Sequence, residues 1–193
     1  MSSKAEFDAE KIREGVKLIL EGVGEDPTRE GLINTPDRVA RMYSEMFSGL
    51  NESSSTLLDT VFHEDYDEIV LLKDIEFFSV CEHHLMPFSG KAHVAYLPGD
   101  KIVGLSKLVR VVEHFARRPQ VQERLTAQIA DLITQALEPK GVAVVLEATH
   151  TCMTLRGVRK PGSVMTTSAM RGVIRENLAT RNEILGLIFG RVK

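Results

Sequence analysis

Four strand-like runs constrain this chain more than any other feature in it. EIVLLKDIEFFSV (68–80) and KAHVAYLP (91–98) form one pair, and VAVVLEATHTCM (142–153) and the Ser/Thr-rich SVMTTSAM (163–170) form a second. Between the pairs lie two helical patterns. One opens at Ser106 in SKLVRVVEHFARR, and the other begins near Pro119, where Val121, Leu125, Ile129, Leu132 and Ala136 make an apolar stripe. A last short helix is expected from Thr180, with Glu183 completing its capping box, to Gly190. Ahead of the strands, Ile12, Val16, Ile19 and Val23 mark one amphipathic helix, and Val39, Met42, Tyr43 and Met46 a second. Thr35 and Pro36 suit the start of that second helix and Gly49 its end, and each stripe needs a surface to pack on. Helices, then β-β-α-α-β-β, then a helix indicate the α+β class with a mainly antiparallel sheet. The polar stretch between Leu50 and Glu68 has little periodicity. The expected organisation is therefore an N-terminal helical region over 1–50, a connecting segment over 51–68 and a β-rich domain over 69–193.

Composition narrows the function classes. A chain of 193 residues with 43% hydrophobic content can build a core without disulfide staples. A net charge of -3 supplies no basic field for nucleic acid, and no apolar run approaches the roughly 18 residues needed to span a bilayer. A small-molecule substrate is the default. The N-terminus MSSKAEFDAEKIREGV lacks the apolar core of a secretory signal, so a cytoplasmic location is expected. In a reducing compartment, Cys81 and Cys152 are more readily read as metal ligands, catalytic groups or inert buried thiols than as a disulfide.

CEHHLMPF (81–88) places Cys81, His83 and His84 within four positions. Cys81 and His84 have the C-x-x-H spacing that lets one tight turn bite a single ion. EATHTCM adds His150 and Cys152, which on a continuous strand share a face with Val142, Val144, Leu146 and Ala148. Thiolate and imidazole donors favour zinc over magnesium or calcium. Four protein ligands would close the site structurally, whereas three would leave a position for chemistry. The spare histidines lean toward chemistry, since a closed site has no use for them and a hydrolytic one employs imidazoles as acid and base. The competing bland reading is a buried cysteine among core histidines.

CEHHLMPFSGKAHVAYLP, GLSKLVR, RRPQVQERLT, EATHTCMTLRG and TTS, in this order, resemble GTP cyclohydrolase I, from GEDPTREGL at Gly24 to the C-terminal helix. The resemblance implies a tunnelling-type fold (T-fold), in which N-terminal helices precede an antiparallel sheet with helices packed on one face. Sheets of neighbouring subunits join into a barrel, in a homodecamer of two pentamers with active sites at subunit interfaces. It implies hydrolysis of GTP to formate and 7,8-dihydroneopterin triphosphate, the entry to tetrahydrofolate or biopterin synthesis, with no nucleic-acid or membrane partner. By the same resemblance Cys81, His84 and Cys152 hold Zn2+, and His83 and His150 are the acid/base pair. Residues 69–193 are then the catalytic domain.

The remaining assignments follow from that likeness. Ser106, Lys107 and Arg110 are expected in the first turn of a helix, where the dipole and free N–H groups favour anions, and the resemblance gives them the triphosphate. Arg156 adds a guanidinium fork to the same task. Arg159 and Lys160 read as surface charges, and Arg38 as a minor phosphate candidate. The resemblance gives purine selection to Gln122 and Glu123, although Glu123 lies opposite its helix's apolar stripe and a helix wheel alone leaves it in solvent. A non-catalytic zinc-stabilised nucleotide-binding module of the same fold is the alternative, disfavoured by the retained His83 and His150. A nitrile-reducing deazapurine enzyme is a third reading, disfavoured by the zinc set.

Overall fold

Alternation along the long runs decides which side chains leave the sheet on which side. A computed structural model describes residues 6–190 of the chain; residues 1–5 and 191–193, at the outer ends of the expected helical region and catalytic domain, lie outside the described residues. In chain order the elements are α1 (Ala9–Gly22), α2 (Thr35–Met46), 3-10 turns at Ser48–Leu50 and Ser54–Thr56, β1 (Val61–Phe62), β2 (Val70–Cys81), β3 (Pro87–Leu97) and β4 (Ile102–Val103). There follow α3 (Leu105–Ala116), β5 (Pro119–Gln120), α4 (Gln122–Leu137), β6 (Gly141–His150), α5 (Thr151–Thr154), β7 (Met165–Gly172), α6 (Val173–Glu176) and α7 (Leu178–Phe189). The main sheet has the order β5-β2-β3-β6-β7, and its long strands are all antiparallel neighbours. The α+β class and the antiparallel sheet match the sequence reading. Among the described residues, no helix is long and apolar enough to cross a membrane.

Even-numbered residues of β3 and β6, Val94, Tyr96, Val142, Val144 and Leu146, turn toward α3 and α4 and meet Leu108, Val111, Leu125, Ile129 and Ile133 in the larger core. Each fully buried Leu or Ile contributes roughly 1.5–3 kcal/mol. The Tyr96 hydroxyl accepts from Val103 N–H at 3.1 Å and so fixes the approach to α3. Odd-numbered Ala95, Ala143 and Val145 face the other way, against Ile174, Ile184 and Ile188. The long helices α3 and α4 do lie on one face, but α6 and α7 cross to the other. Lys73 holds α7 there by donating to the Leu187 and Ile188 carbonyls, both at 3.0 Å.

Several local expectations change. Pro119 does not begin a helix; with Gln120 it runs parallel to the end of β2, and α4 starts at Gln122. α7 is capped by Asn177, whose side chain accepts from Ala179 and Thr180 N–H, and not by Thr180. α2 begins at Thr35, with Asn34 in the cap position. In the segment 51–68, β1 pairs with β4. α1 and α2 are joined by Arg13 Nε to Asp37 at 2.6 Å, yet Ile19 and Val23 of the α1 stripe remain 66% and 72% exposed within the subunit.

Gly49 serves a purpose other than ending α2. Its N–H donates to Arg117 O at 3.1 Å, and a Cβ there would stand 2.2 Å from His114 O. The N-terminal region can approach the end of α3 this closely only through a residue without a side chain. Gly49→Ala should therefore destabilise the fold by about 1–3 kcal/mol, the usual cost of overpacking. Differential scanning calorimetry should register this as a lower melting temperature, by roughly 2–4 °C per kcal/mol for a chain of this size.

Candidate metal centre

The ligand-bearing turn is built where β2 returns as β3. Cys81 N–H donates to Met86 O and Leu85 N–H to Cys81 O, both at 2.8 Å, and Leu85 takes a left-handed φ of 52° to close the loop. β5 flanks this end, with Cys81 opposite Gln120 and Glu82 N–H donating to Gln120 O at 3.0 Å. Arg124 of α4 grips the Glu82 carboxylate with both terminal nitrogens, at 2.5 and 3.1 Å, and this contact holds the carboxyl below its usual range. Held in this way, the turn presents two imidazoles to one sulfur. His84 Nδ1 lies 3.8 Å and His83 Nδ1 3.9 Å from Cys81 Sγ.

The second half of the centre comes from the end of β6. His150 stands opposite Phe88 in the ladder, and their rings stack at 4.4 Å with only 8° between planes. Beyond His150 the chain does not continue as a strand, so the expected alternation of His150 and Cys152 on one extended face fails. Thr151 donates its hydroxyl to Pro87 O at 2.5 Å, and the chain turns into α5. Cys152 is carried by that helical turn and still reaches its partners. Donor atoms of Cys81, His84 and Cys152 all lie within 4.8 Å of one another. A tetrahedral ion with bonds of about 2.0–2.3 Å spaces its ligands roughly 3.3–3.8 Å apart, so the three donors need close by about 1–1.5 Å at most to hold one. Both cysteines are free thiols.

Electrostatics favours a cation here. Burial, and then the adjacent Cys81, pushes the Cys152 thiol up. Two thiols held together resist ionising unless a positive ion sits between them, and two sulfurs with one imidazole are a donor set of zinc character. Burial pulls His150 below the ordinary imidazole range, opposed by the Glu123 carboxylate. Arg156 Nη1 donates to His84 Nε2 at 3.1 Å, which puts a guanidinium beside the cluster.

The other expected residues divide. Glu123 is exposed in the first turn of α4, on the wall of a cleft of about 340 Å³ lined also by Ser168, Arg171, Arg175 and Arg181. Gln122 is 1% exposed, and its amide is turned inward and engaged by Leu146, Met165, Thr167 and His150. Ser106, Lys107 and Arg110 are not at the cluster. α3 runs beside β2 with its start near Tyr96 and its end at Ala116, where Ser79 Oγ donates to the Ala116 carbonyl at 2.7 Å. A helix of this length separates its ends by about 18 Å. Arg110 also lies beyond the first turn, which weakens the dipole argument for it. Arg38, Arg159 and Lys160 are exposed. Sequence reasoning missed the Glu82–Arg124 clamp and the arginines beside Glu123, since nothing in their spacing announces contact.

The family model for GTP cyclohydrolase I matches residues 12–189. A GTP cyclohydrolase 1 of Rhodopirellula baltica is 62% identical over 183 residues, covering 95% of this chain and 80% of that protein. One of Lysinibacillus sphaericus is 61% identical over 183 residues, covering 94% and 97%. Among solved structures, an archaeosine synthase, QueF-like in the apo form, is 20% identical with a TM-score of 0.46, over 54% of this chain and 93% of that one.

Removing one sulfur should empty the cluster and leave the fold. Cys152→Ser is expected to lose nearly all bound metal, measured per subunit by mass spectrometry, while far-UV circular dichroism is unchanged. A metal-free protein that never folds would make the centre structural instead.

Proposed function

Because the chain belongs to the GTP cyclohydrolase I family, we propose that it hydrolyses GTP to formate and 7,8-dihydroneopterin triphosphate, at the head of a tetrahydrofolate or pterin pathway in the cytoplasm. The observation that carries this reading is the Cys81–His84–Cys152 cluster with further imidazoles on either side, His83 near the same sulfur and His150 stacked on Phe88. A Zn2+ ion held by those three residues would supply Lewis acidity and a nucleophilic water near neutral pH for attack at carbon 8 of the purine. His83 and His150 exchange the protons: one is taken as water adds, and one is given to the ring nitrogen as its bond to carbon 8 breaks. Loss of formate and rearrangement of the ribose then require further proton movement by the same imidazoles. A neutral His150 at working pH, favoured by its burial, suits it to begin as an acceptor.

Glu123 reads the base. Guanine presents a ring N–H and an exocyclic amine side by side, which one carboxylate accepts as a fork, whereas adenine presents a lone pair at the ring position. Arg156 reaches the triphosphate from the metal side. Ser106 and Lys107, about a helix length away in the same subunit, and Arg110, about half that distance, would complete the phosphate site from another copy. Such an assembly is supported by the sheet itself. β2 and β7 are its outer long strands, β5 covering only Val80 and Cys81, and open edges of this length call for a partner. The exposed Ile19 and Val23 of α1 point the same way. The proposed state is the family's decamer of two pentameric rings, with the helical region 1–50, the connector 51–68 and the catalytic domain 69–193 in each subunit.

Formate release and growth of dihydropterin absorbance on adding GTP test the reaction. GTP binding without either product would reduce the protein to a binding module. His83→Ala and His150→Ala should each keep full metal content and lose turnover by roughly a hundred- to ten-thousand-fold; a metal-free variant would show that a ligand had been mistaken for an acid/base group. Glu123→Ala should weaken GTP binding by about 1.5–3 kcal/mol with metal unchanged. Calorimetric titration giving wild-type affinity would remove Glu123 from the base site.

A further inference from the structure

The buried Gln122 amide beside His150 has its orientation dictated by its surroundings. Gln122 Nε2 lies 3.1 Å from Leu146 O, 3.0 Å from Met165 O and 3.1 Å from Thr167 Oγ1. The two carbonyls can only accept. The Thr167 hydroxyl is also committed as an acceptor toward Gln122. Thr126 Oγ1 donates its single proton to the Gln122 main-chain carbonyl at 2.7 Å, so in the 2.7 Å contact between the two threonines Thr167 must be the donor. Turning the amide over would set its oxygen against carbonyls with no proton to receive, inside the protein, where an unsatisfied group is costly. Gln122 Oε1 therefore faces His150. That contact, 2.8 Å to Nε2, closes only if His150 Nε2 carries the hydrogen.

We infer that Gln122 is a positioning residue that holds His150 in the Nε2–H tautomer, so that Nδ1 is the nitrogen that exchanges protons with the substrate. The inference rests on the acid/base role assigned to His150. Phe88 fixes the ring plane by stacking, and Gln122 fixes which edge of the ring faces inward, because a half-turn about the Cβ–Cγ bond would bring a C–H against Oε1. A neutral amide accepts equally well from the uncharged ring and from the imidazolium. The same hydrogen bond thus persists through a catalytic cycle, with no second group to titrate. The network spans α4, β6 and β7, so the tautomer is set by the core and not by a mobile loop.

Neutron diffraction from crystals of the metal-loaded enzyme exchanged into heavy water should find deuterium on His150 Nε2 and on both N–H positions of Gln122. Deuterium on Nδ1 with Nε2 bare would overturn the inference, and this measurement needs no variant to fold. Gln122→Met keeps the length of the side chain and removes the acceptor. It should lower kcat by roughly ten- to a hundred-fold, by analogy with the loss of a group that orients a metal-bound imidazole, with KM for GTP within about threefold and metal content unchanged. A raised KM at unchanged kcat would make Gln122 a base contact after all. If His150→Ala turns over at the wild-type rate, the acid/base assignment itself fails. If His150→Ala is slow while Gln122→Met runs at full speed, the positioning role alone fails.

Discussion

The register of β3 against its two neighbours is the constraint on which the rest depends. Val80 pairs with Pro87 on one side and Phe88 with His150 on the other, so the ends of three strands arrive together at one rim of the sheet. That rim is where Cys81, His83, His84, His150 and Cys152 converge. A slip of one residue would move His150 to the opposite face of the sheet, away from Gln122 and toward the side occupied by α7. The burial of Val94, Tyr96, Val144 and Leu146 on one face and of Ala95, Ala143 and Val145 on the other makes such a slip prohibitive. The larger and smaller cores thus hold the chemistry in alignment although neither contains all of it.

Much of this was legible in the sequence because it depends on period and local spacing. The order of strands and helices, the α4 stripe through Leu125 and Ile129, and the clustering of Cys81 with His84 all follow from residues close together in the chain. What was not legible depends on contacts between distant segments. The hydroxyl of Thr151 finds the Pro87 carbonyl and ends β6 before Cys152, which no pattern within EATHTCM reveals. Arg124 and Glu82 lie 42 residues apart and meet only because β5 brings α4 beside the hairpin. Gln122 looked like a polar residue available to a ligand, since a helix wheel cannot show that β6 and β7 enclose it.

The distribution of charge separates two kinds of work. Near the cluster, His150, to which proton transfer is assigned by proposal, is held by neutral partners, an amide and an aromatic face. The charged groups, Glu123 and Arg156, are exposed within the isolated subunit. A carboxylate or guanidinium left in solvent keeps its charge at little desolvation cost until a ligand covers it, whereas an imidazole that must change charge is better kept in an environment that does not change with it.

Gln122, Glu123 and Arg124 are consecutive in the first turn of α4, and successive side chains leave a helix about 100° apart. The first grips His150, the second stands on the wall of the arginine-lined cleft, and the third clamps the hairpin that bears Cys81 and His84. One rigid turn therefore serves as a common datum for three parts of the centre. Motions that carry the helix as a body leave its internal proportions intact, and the spacing between His150, the cleft and the cysteine-bearing hairpin becomes a property of a single peptide segment rather than a compromise among several loops.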